Sequence, residues 1–497
     1  VKICVKSKTT IVERTDTLFS LTLFFCLHLT LSFAQVQVGS DINTTEAYDF
    51  FGGTLALSDD GGRLIVGALA NTANGLDAGL ARAYEWIDGE WVQMGADFFG
   101  AASGHELGAS VAISANGSRI AIGAPGRLGE TGFAGQVQVF EWRGSNWMQL
   151  GADLEGEVNG ELFGSAVSLS SDGSLLAIGT PLNSDGFSSA GQVKVFEWTG
   201  TSWMQKGTDI NGLADDLLGN AVSLSADGLR LAVDAIGNEE NGSQAGQVRV
   251  YEWVDEDWSK VGADIDGEVG AFLGCSLSLS ADGSRLAIGA RGAVFDGKVK
   301  VYEWVNGFWV PMGEDFRGSM GDNVGCAVSL SADGTRLAVG ALGKDDNGPE
   351  SGQVKVYEWL NNEWIQVGAD INGKENSALG EAVALSADGS RLAVGATFST
   401  LFGSGLGLVR VFDLSPVSSV LAENIPSWAI YPNPTNGLVY FEGFIPESLT
   451  VIDLFGKLVF HSENIDQWIS IDHLSEGIYV MRAEADGYSK SFKIVKQ

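Results

Sequence analysis

Positive charge is scarce in this sequence. Thirty Lys and Arg stand against 63 Asp and Glu, a formal net charge of −33 over 497 residues. Nucleic acid needs a basic surface, so that class of partner is excluded. Proline is rarer still, 9 residues against 67 Gly. Glycine spread among regular hydrophobics marks turns between short strands rather than disorder. The four His and four Cys form no cluster with metal-ligand spacing. His105 is the one His between residues 35 and 413, while His461 and His473 lie near the C-terminus. His105 neighbours Glu106 and the chain has no nucleophile elbow, so no Ser-His-Asp triad is read. No Gly-rich phosphate loop with Lys is present. Cys4 and Cys26 fall in the leader described next. Cys275 and Cys326 occupy one repeat position, where side chains face the same way, so two buried free thiols are expected rather than a disulfide.

What is present begins with an export signal. Lys2, Lys6, Lys8 and Arg14 precede a mostly apolar run from Leu18 to Phe33. Ser32 and Ala34 then supply small residues at the −3 and −1 positions. Residues 1–34 are therefore predicted to be a signal peptide, cut between Ala34 and Gln35. The run is shorter than the ~20 residues a spanning helix needs, and no later segment qualifies.

Beyond Gln35 the chain repeats itself. Phe51-Gly52, Leu107-Gly108, Phe163-Gly164, Leu218-Gly219, Leu273-Gly274, Val324-Gly325 and Leu379-Gly380 recur every 51–56 residues. Each is followed at fixed spacing by a Gly-Ala-like pair such as Gly67-Ala68, Gly123-Ala124 or Gly179-Thr180. Between them lies a hairpin turn, Asp60-Gly61 in the first unit and Asp388-Gly389 in the last. The unit predicts four strands: GxSVxLS, RLAIGA, GQVKVYEW and VQMGADF. Trp pairs such as Trp142/Trp147 and Trp198/Trp203 flank four residues, enough for a hairpin, so strands three and four are neighbours. Cross-strand packing accounts for those pairs without a sugar-stacking role. The phrase VQMGADF occurs seven times, first at residues 36–42, ahead of the first strand one. The last unit lacks a strand four. The orphans predict a ring closed by residues 36–42 beside residues 408–412, which removes open sheet edges. The repeated Asp of GADI, Asp41 to Asp370, is expected to cap strand ends by accepting from backbone N–H groups.

The landmarks Phe51-Gly52, Phe163-Gly164 and Gly123-Ala124-Pro125 resemble the FG-GAP repeats of the integrin α-subunit propeller. The resemblance implies an all-β, seven-bladed β-propeller over residues 35–413. Family repeats that bind calcium carry Asp-x-Asp-x-Asp-Gly between strands one and two. Here the turn is Ser-Ala-Asp-Gly, with too few oxygens for a cage, so calcium sites are not carried over and no cofactor is expected.

Residues 414–427 read as a linker. Residues 428–497 alternate strands and Gly turns, as a small Ig-like β-sandwich does. Tyr431-Pro432-Asn433-Pro434, Asp453 to Lys457 with Gly456, Leu474 to Tyr479 with Gly477, and Lys493 to Lys496 resemble the type A sorting domain of the type IX secretion system of Bacteroidetes. That resemblance implies a partner in the secretion machinery, passage of the outer membrane, and then removal of the tail with attachment to the surface or release.

The longer links, strand four to one and strand two to three, gather on the face opposite the short turns. In the integrin-like family that face takes the ligand. Its acids Asp185, Glu239, Glu240, Asp345, Asp346 and Glu350 are candidate ligand-face residues. Asp234 joins them because it breaks the repeat, replacing the Gly of Gly-Ala. The reading is a monomeric secreted or surface-attached propeller that binds or adheres through this face. The alternatives are a carbohydrate-active enzyme using a carboxylate pair and a passive structural surface protein.

Overall fold

In GQVKVYEW-type segments Val alternates with Lys and aromatics, a period of two that a pleated strand satisfies and a helix does not. The computed structural model describes residues 31–33, 35–126, 134–184, 188–292, 296–399, 406–418, 429–431, 433–442, 445–453, 457–462, 465–485 and 488–497. All of its regular structure is β, in antiparallel sheets of repeated form. Seven of these sheets have five strands each. In the second, Ser110–Ile113, Arg119–Ala124, Gln136–Trp142 and Trp147–Gln149 lie in order, with Leu154–Glu155 also against Gln136–Trp142. We number the sheets 1 to 7 by the chain order of the strand that contains or follows each landmark Gly, so that the sheet containing Val36–Gln37 is sheet 7.

The single strand four expected from the sequence is corrected. Trp147–Gln149 and Leu154–Glu155 both pair with strand three, and Gly151 to Asp153 bulge out between them. The cause is inter-sheet packing. Gly151 has φ +86° and meets the Trp198 and Trp203 rings of the next sheet, where a Cβ would come within 2.9 Å of Trp198. Only glycine fits at that angle and distance.

Sheet 7 is completed from the other end of the repeat region. Val36 pairs with Asp413 and Gln37 with Phe412, and after the bulge Ile42 pairs with Val409. Arg410 Nε and Nη2 donate to Asp41 Oδ1 and Oδ2 at 3.0 and 2.9 Å, clasping residues 369 apart in sequence. The first strands of neighbouring sheets touch in succession, including sheet 7 to sheet 1. At the turns the backbone makes a closed cycle. Asp59 N donates to Ala115 O, Ala115 N to Ser171 O, then Ala226, Ala281, Ala332 and Ala387 follow, and Ala387 N returns to Asp59 O, all at 2.8–2.9 Å.

Packing between sheets sets large residues against small. Leu107, Ile120 and Ile122 of sheet 2 bury against Ala81 and Ala83 of sheet 1. The closing contact sets Phe51, Leu64 and Val66 against Ala393, Val409 and Val411. Burying each such Leu or Ile contributes about 1.5–3 kcal/mol.

Two smaller sheets follow. Ala429–Tyr431, Leu438–Glu442 and Trp468–Ser470 form one; Leu458–Ser462, Ser448–Asp453, Gly477–Ala485 and Tyr488–Lys496 form the other. They share a core that includes Val439, Phe441, Leu449, Val451 and Met481. Leu31–Phe33, inside the predicted leader, pairs with Pro416–Ser418, inside the predicted linker. That pairing belongs only to a chain that keeps residues 31–33.

Candidate functional site

The two ends of the repeat ring differ in chemistry. At the short-turn end, Gly61 N donates to Ser58 O and Gly61 has φ +65°, a tight turn closed by a left-handed glycine. Asp60 Oδ1 accepts from Ser58 Oγ at 2.7 Å and Gly62 N at 2.8 Å. The arrangement recurs with Asp172, Asp227, Asp282, Asp333 and Asp388. Burial alone would raise the Asp60 carboxyl, but these hydrogen bonds and the charges of Arg63 and Arg391 outweigh it and hold it low. These carboxylates are engaged by their own turns.

Arginine links these turns from sheet to sheet. Arg63 Nη1 donates to Gly117 O at 3.3 Å while Nη2 pairs with Glu85 at 2.7 Å. Arg119, Arg230, Arg285, Arg336 and Arg391 reach the next turn likewise, Arg391 returning to Gly61 O at 2.8 Å. Sheet 3 has Leu175 in that place. The sequence reading missed this set, although Arg recurs at one position in six of seven repeats.

The Trp pairs are structural pins. Trp91, Trp147, Trp203, Trp258 and Trp364 each donate Nε1 to a backbone oxygen of the preceding sheet at 2.8–3.2 Å. Sheet 7 has no such Trp, and Gln35 Nε2 takes the place, donating to Val367 O at 3.1 Å. The GADI aspartates do not cap backbone N–H groups as expected. Their bulge turns them onto side chains of strands three and four. Asp97 accepts from Arg82 and Gln93, and Asp370 from Gln353 and Gln366.

On the long-link end, an acid two residues before the landmark latches the two links together in sheets 3 and 4. Glu161 Oε2 accepts from Asn183 Nδ2 at 2.8 Å, and Asp216 Oδ1 from Asn238 Nδ2 at 2.8 Å. Asp216 also forms a buried pair with Arg249 at 2.7 Å. Asn74, Asn241 and Asn347 bind the carbonyls of Gly100, Gly267 and Gly373 at 2.7–3.2 Å, bracing three links alike.

The candidate acids fall into three groups. Glu239, Glu240, Asp345, Asp346 and Glu350 are exposed on this end, in the links of sheets 4 and 6. The structure does not bring them together, because sheet 5 stands between. Glu239 accepts from Ser243 Oγ at 3.0 Å, Asp345 from Glu350 N at 2.7 Å and Asp346 from Gln353 Nε2 at 2.7 Å. Asp234 is corrected: it is fully buried between sheets 4 and 5, against Gly274, and no part of it reaches the face. Its Oδ1 accepts from Ala221 N at 2.7 Å and its Oδ2 has no partner. Burial pushes its pKa up to about 8. Asp185 lies outside the described residues, as do Ala34, Pro432 and Gly456.

Glu381 lies two residues before Val383–Leu385. Burial raises its pKa, partly offset by a hydrogen bond from Thr397. No group of three or more His, Cys, Asp or Glu suited to a metal occurs among the described residues. Cys275 and Cys326 are free thiols, pushed up to about 11 and about 12 by burial.

In the tail the motif residues hold the chain end. Asn433 Nδ2 donates to Lys493 O at 2.6 Å and its Oδ1 accepts from Val495 N at 2.9 Å. Lys457 N donates to Asp453 Oδ1 at 2.9 Å, and the Tyr479 hydroxyl to Ser475 O at 2.9 Å. Gly477 pairs with Lys496, and Tyr431 stacks on Tyr440 at 5.7 Å. Pro434 follows Asn433 across a cis peptide bond.

Comparison with known families agrees with both parts. Residues 429–497 match the family described as the secretion system C-terminal sorting domain, and residues 317–357 match the FG-GAP repeat. The chain therefore carries an FG-GAP repeat and a type IX sorting domain. It is an exported protein, secreted or at the cell surface, whose tail engages the secretion machinery. No curated protein matched by sequence. Among solved structures, U3-55K has a TM-score of 0.47 at 13% identity, covering 78% of this chain and 100% of its own. The periplasmic gluconolactonase PpgL of Pseudomonas aeruginosa has 0.47 at 15% identity, covering 70% and 97%. The fold rests on the strand pairing rather than on these likenesses. No helix long and apolar enough to cross a membrane occurs among the described residues.

Proposed function

We propose that this protein is a surface binding module: a closed seven-bladed β-propeller over residues 35–413 that adheres to a glycan or protein through its long-link face. A signal peptide over 1–34, cut between Ala34 and Gln35, and a linker over 414–427 belong to the same reading. So does an Ig-like sorting module over 428–497, in a monomer from a Bacteroidetes-type cell. One observation carries it: the FG-GAP match falls on a unit whose long links are braced from within and present exposed acids. A braced surface binds with little ordering cost. The engaged turn carboxylates support a reading without resident calcium.

The test incubates the purified chain with insoluble and soluble polysaccharides and with beads bearing surface proteins of neighbouring cells. Retention and release of reducing ends are scored in the same tubes. Retention without release is expected, and it falls when Asp345 and Asp346 are changed to Ala. Release would replace the reading with hydrolysis, and absence of both would leave a passive structural role.

A further inference from the structure

A repeat protein that binds one ligand at one place does so where its repeats stop being equivalent. Three departures here meet in one cleft between sheets 5 and 6. The landmark before Gly is Phe or Leu in six repeats and at most 3% exposed, but in sheet 6 it is the shorter, half-buried Val324. Lys344 stands where sheets 1, 3 and 4 have Asn71, Asn183 and Asn238; only sheet 2, with Arg127, also has a basic residue there. Arg317 stands where the other repeats have Asn43, Phe99, Glu155, Asn211, Asp266 and Asn372, none of them basic. One departure removes volume and the other two add positive charge, in a chain of net charge −33.

The result is a cavity of about 130 Å³ whose lining includes Val324, Arg317, Lys344, Lys355, Gln353 and Tyr357. Its one carboxylate, Asp322, is held by Lys344 at 3.1 Å. Lys355 meets Asp370 at 3.4 Å and Arg317 meets Asp315 at 3.0 Å. An ammonium has three N–H donors and a guanidinium five, so each cation keeps donors to spare. The Tyr357 hydroxyl has no hydrogen-bond partner among the described residues, and burial pushes its pKa up to about 12, so it remains a donor. Pockets for whole ligands run to ~300–1,000 Å³; this one holds a group, not a molecule.

We propose that this cleft binds a small oxyanion, the carboxylate, sulfate or phosphate of a larger ligand, through Arg317, Lys344, Lys355 and the Tyr357 hydroxyl. The inference rests on the binding reading above and names its ligand chemistry. Charge-assisted hydrogen bonds from a planar guanidinium and two ammoniums are what such a group requires, and a neutral sugar gains none of them.

Calorimetry on the full chain at low ionic strength, with glucuronate, glucose 6-sulfate, glucose 6-phosphate and glucose, tests it. At least one acidic sugar should bind tenfold or more tighter than glucose, and which one does identifies the oxyanion. V324L restores the repeat's own residue, fills the space and leaves every charge; it should melt no lower than the parent and bind at least tenfold more weakly. K344N also restores a repeat residue and should weaken binding by a similar factor, which keeps the test decisive if V324L folds poorly. No preference for acidic sugars, or V324L and K344N binding like the parent, overturns the proposal. Retention on polysaccharide that survives both substitutions would then leave the binding reading standing without this cleft, whereas loss of retention in the parent would remove both.

Discussion

Asp234 gives the sharpest test of the packing described above. Six repeats have Gly there, where an added Cβ at Gly123 would lie 2.2 Å from the Gly164 carbonyl oxygen of the next sheet. Sheet 4 instead buries a whole carboxyl with one oxygen unpartnered. Burial holds its pKa at about 8, far above the ordinary carboxyl value of about 4. The folded protein therefore holds a proton between about pH 4 and 8 that the unfolded chain has released. By linkage, this group's contribution to stability is full below about pH 4 and is lost as pH rises toward 8. At 1.36 kcal/mol per pH unit, even half of that window amounts to a few kcal/mol. Asp234→Asn has nearly the same shape and does not titrate. Urea midpoints at pH 5 and pH 8, for parent and variant, should show the parent losing more stability over the interval than the variant. Asp49 and Glu381 are also raised by burial and titrate in both proteins, so only the difference between them counts. Equal losses, or a smaller loss in the parent, would refute the buried neutral carboxyl.

Other outcomes follow from single contacts. Trp203→Phe removes a hydrogen bond to Leu150 O and should cost about 1 kcal/mol beyond lost packing; Trp309→Phe should cost less, since its buried Nε1 has no partner, and paired thermal melts decide it. Arg410→Gln breaks the clasp to Asp41 and should lower stability by about 1–2 kcal/mol, with hydrogen exchange rising first in residues 36–43. Asn433→Ala loses both bonds to the C-terminal strand and should make the tail protease-sensitive and reduce the exported fraction in a secreting cell.

The repeat was legible because its signals are local. Asp-Gly turns, Trp-flanked hairpins and the unmatched strand phrases at the two ends each announce themselves within a few residues, and the pairing of Val36 with Asp413 follows. What stayed hidden lies between sheets. The bulge at Gly151 exists because of Trp198, 47 positions on, and the reach of Arg63 to Gly117 spans 54. The acidic face was half legible. Exposure of Glu239 and Asp345 could be read from loop composition, but burial of Asp234 could not, because the same broken symmetry suits a ligand contact and an internal carboxyl alike. The Val324 departure was in plain view, yet its meaning needed Lys344 and Arg317 in the same cleft.

A protein held to a cell by its C-terminal side, as the surface-attached form of the proposed reading has it, would meet traction there. Tension entering at Leu414 passes into Leu406–Asp413, which runs between Arg391–Ser399 on one side and the N-terminal strands on the other. A pull along that strand loads both rows of hydrogen bonds in shear, together, rather than peeling them one at a time. The partner on one side is the chain's own beginning, so the last sheet cannot be drawn out without also dislodging the first residues of the ring. Closure from the N-terminus would thus make the strand next to such a tether share its load with the chain's own beginning.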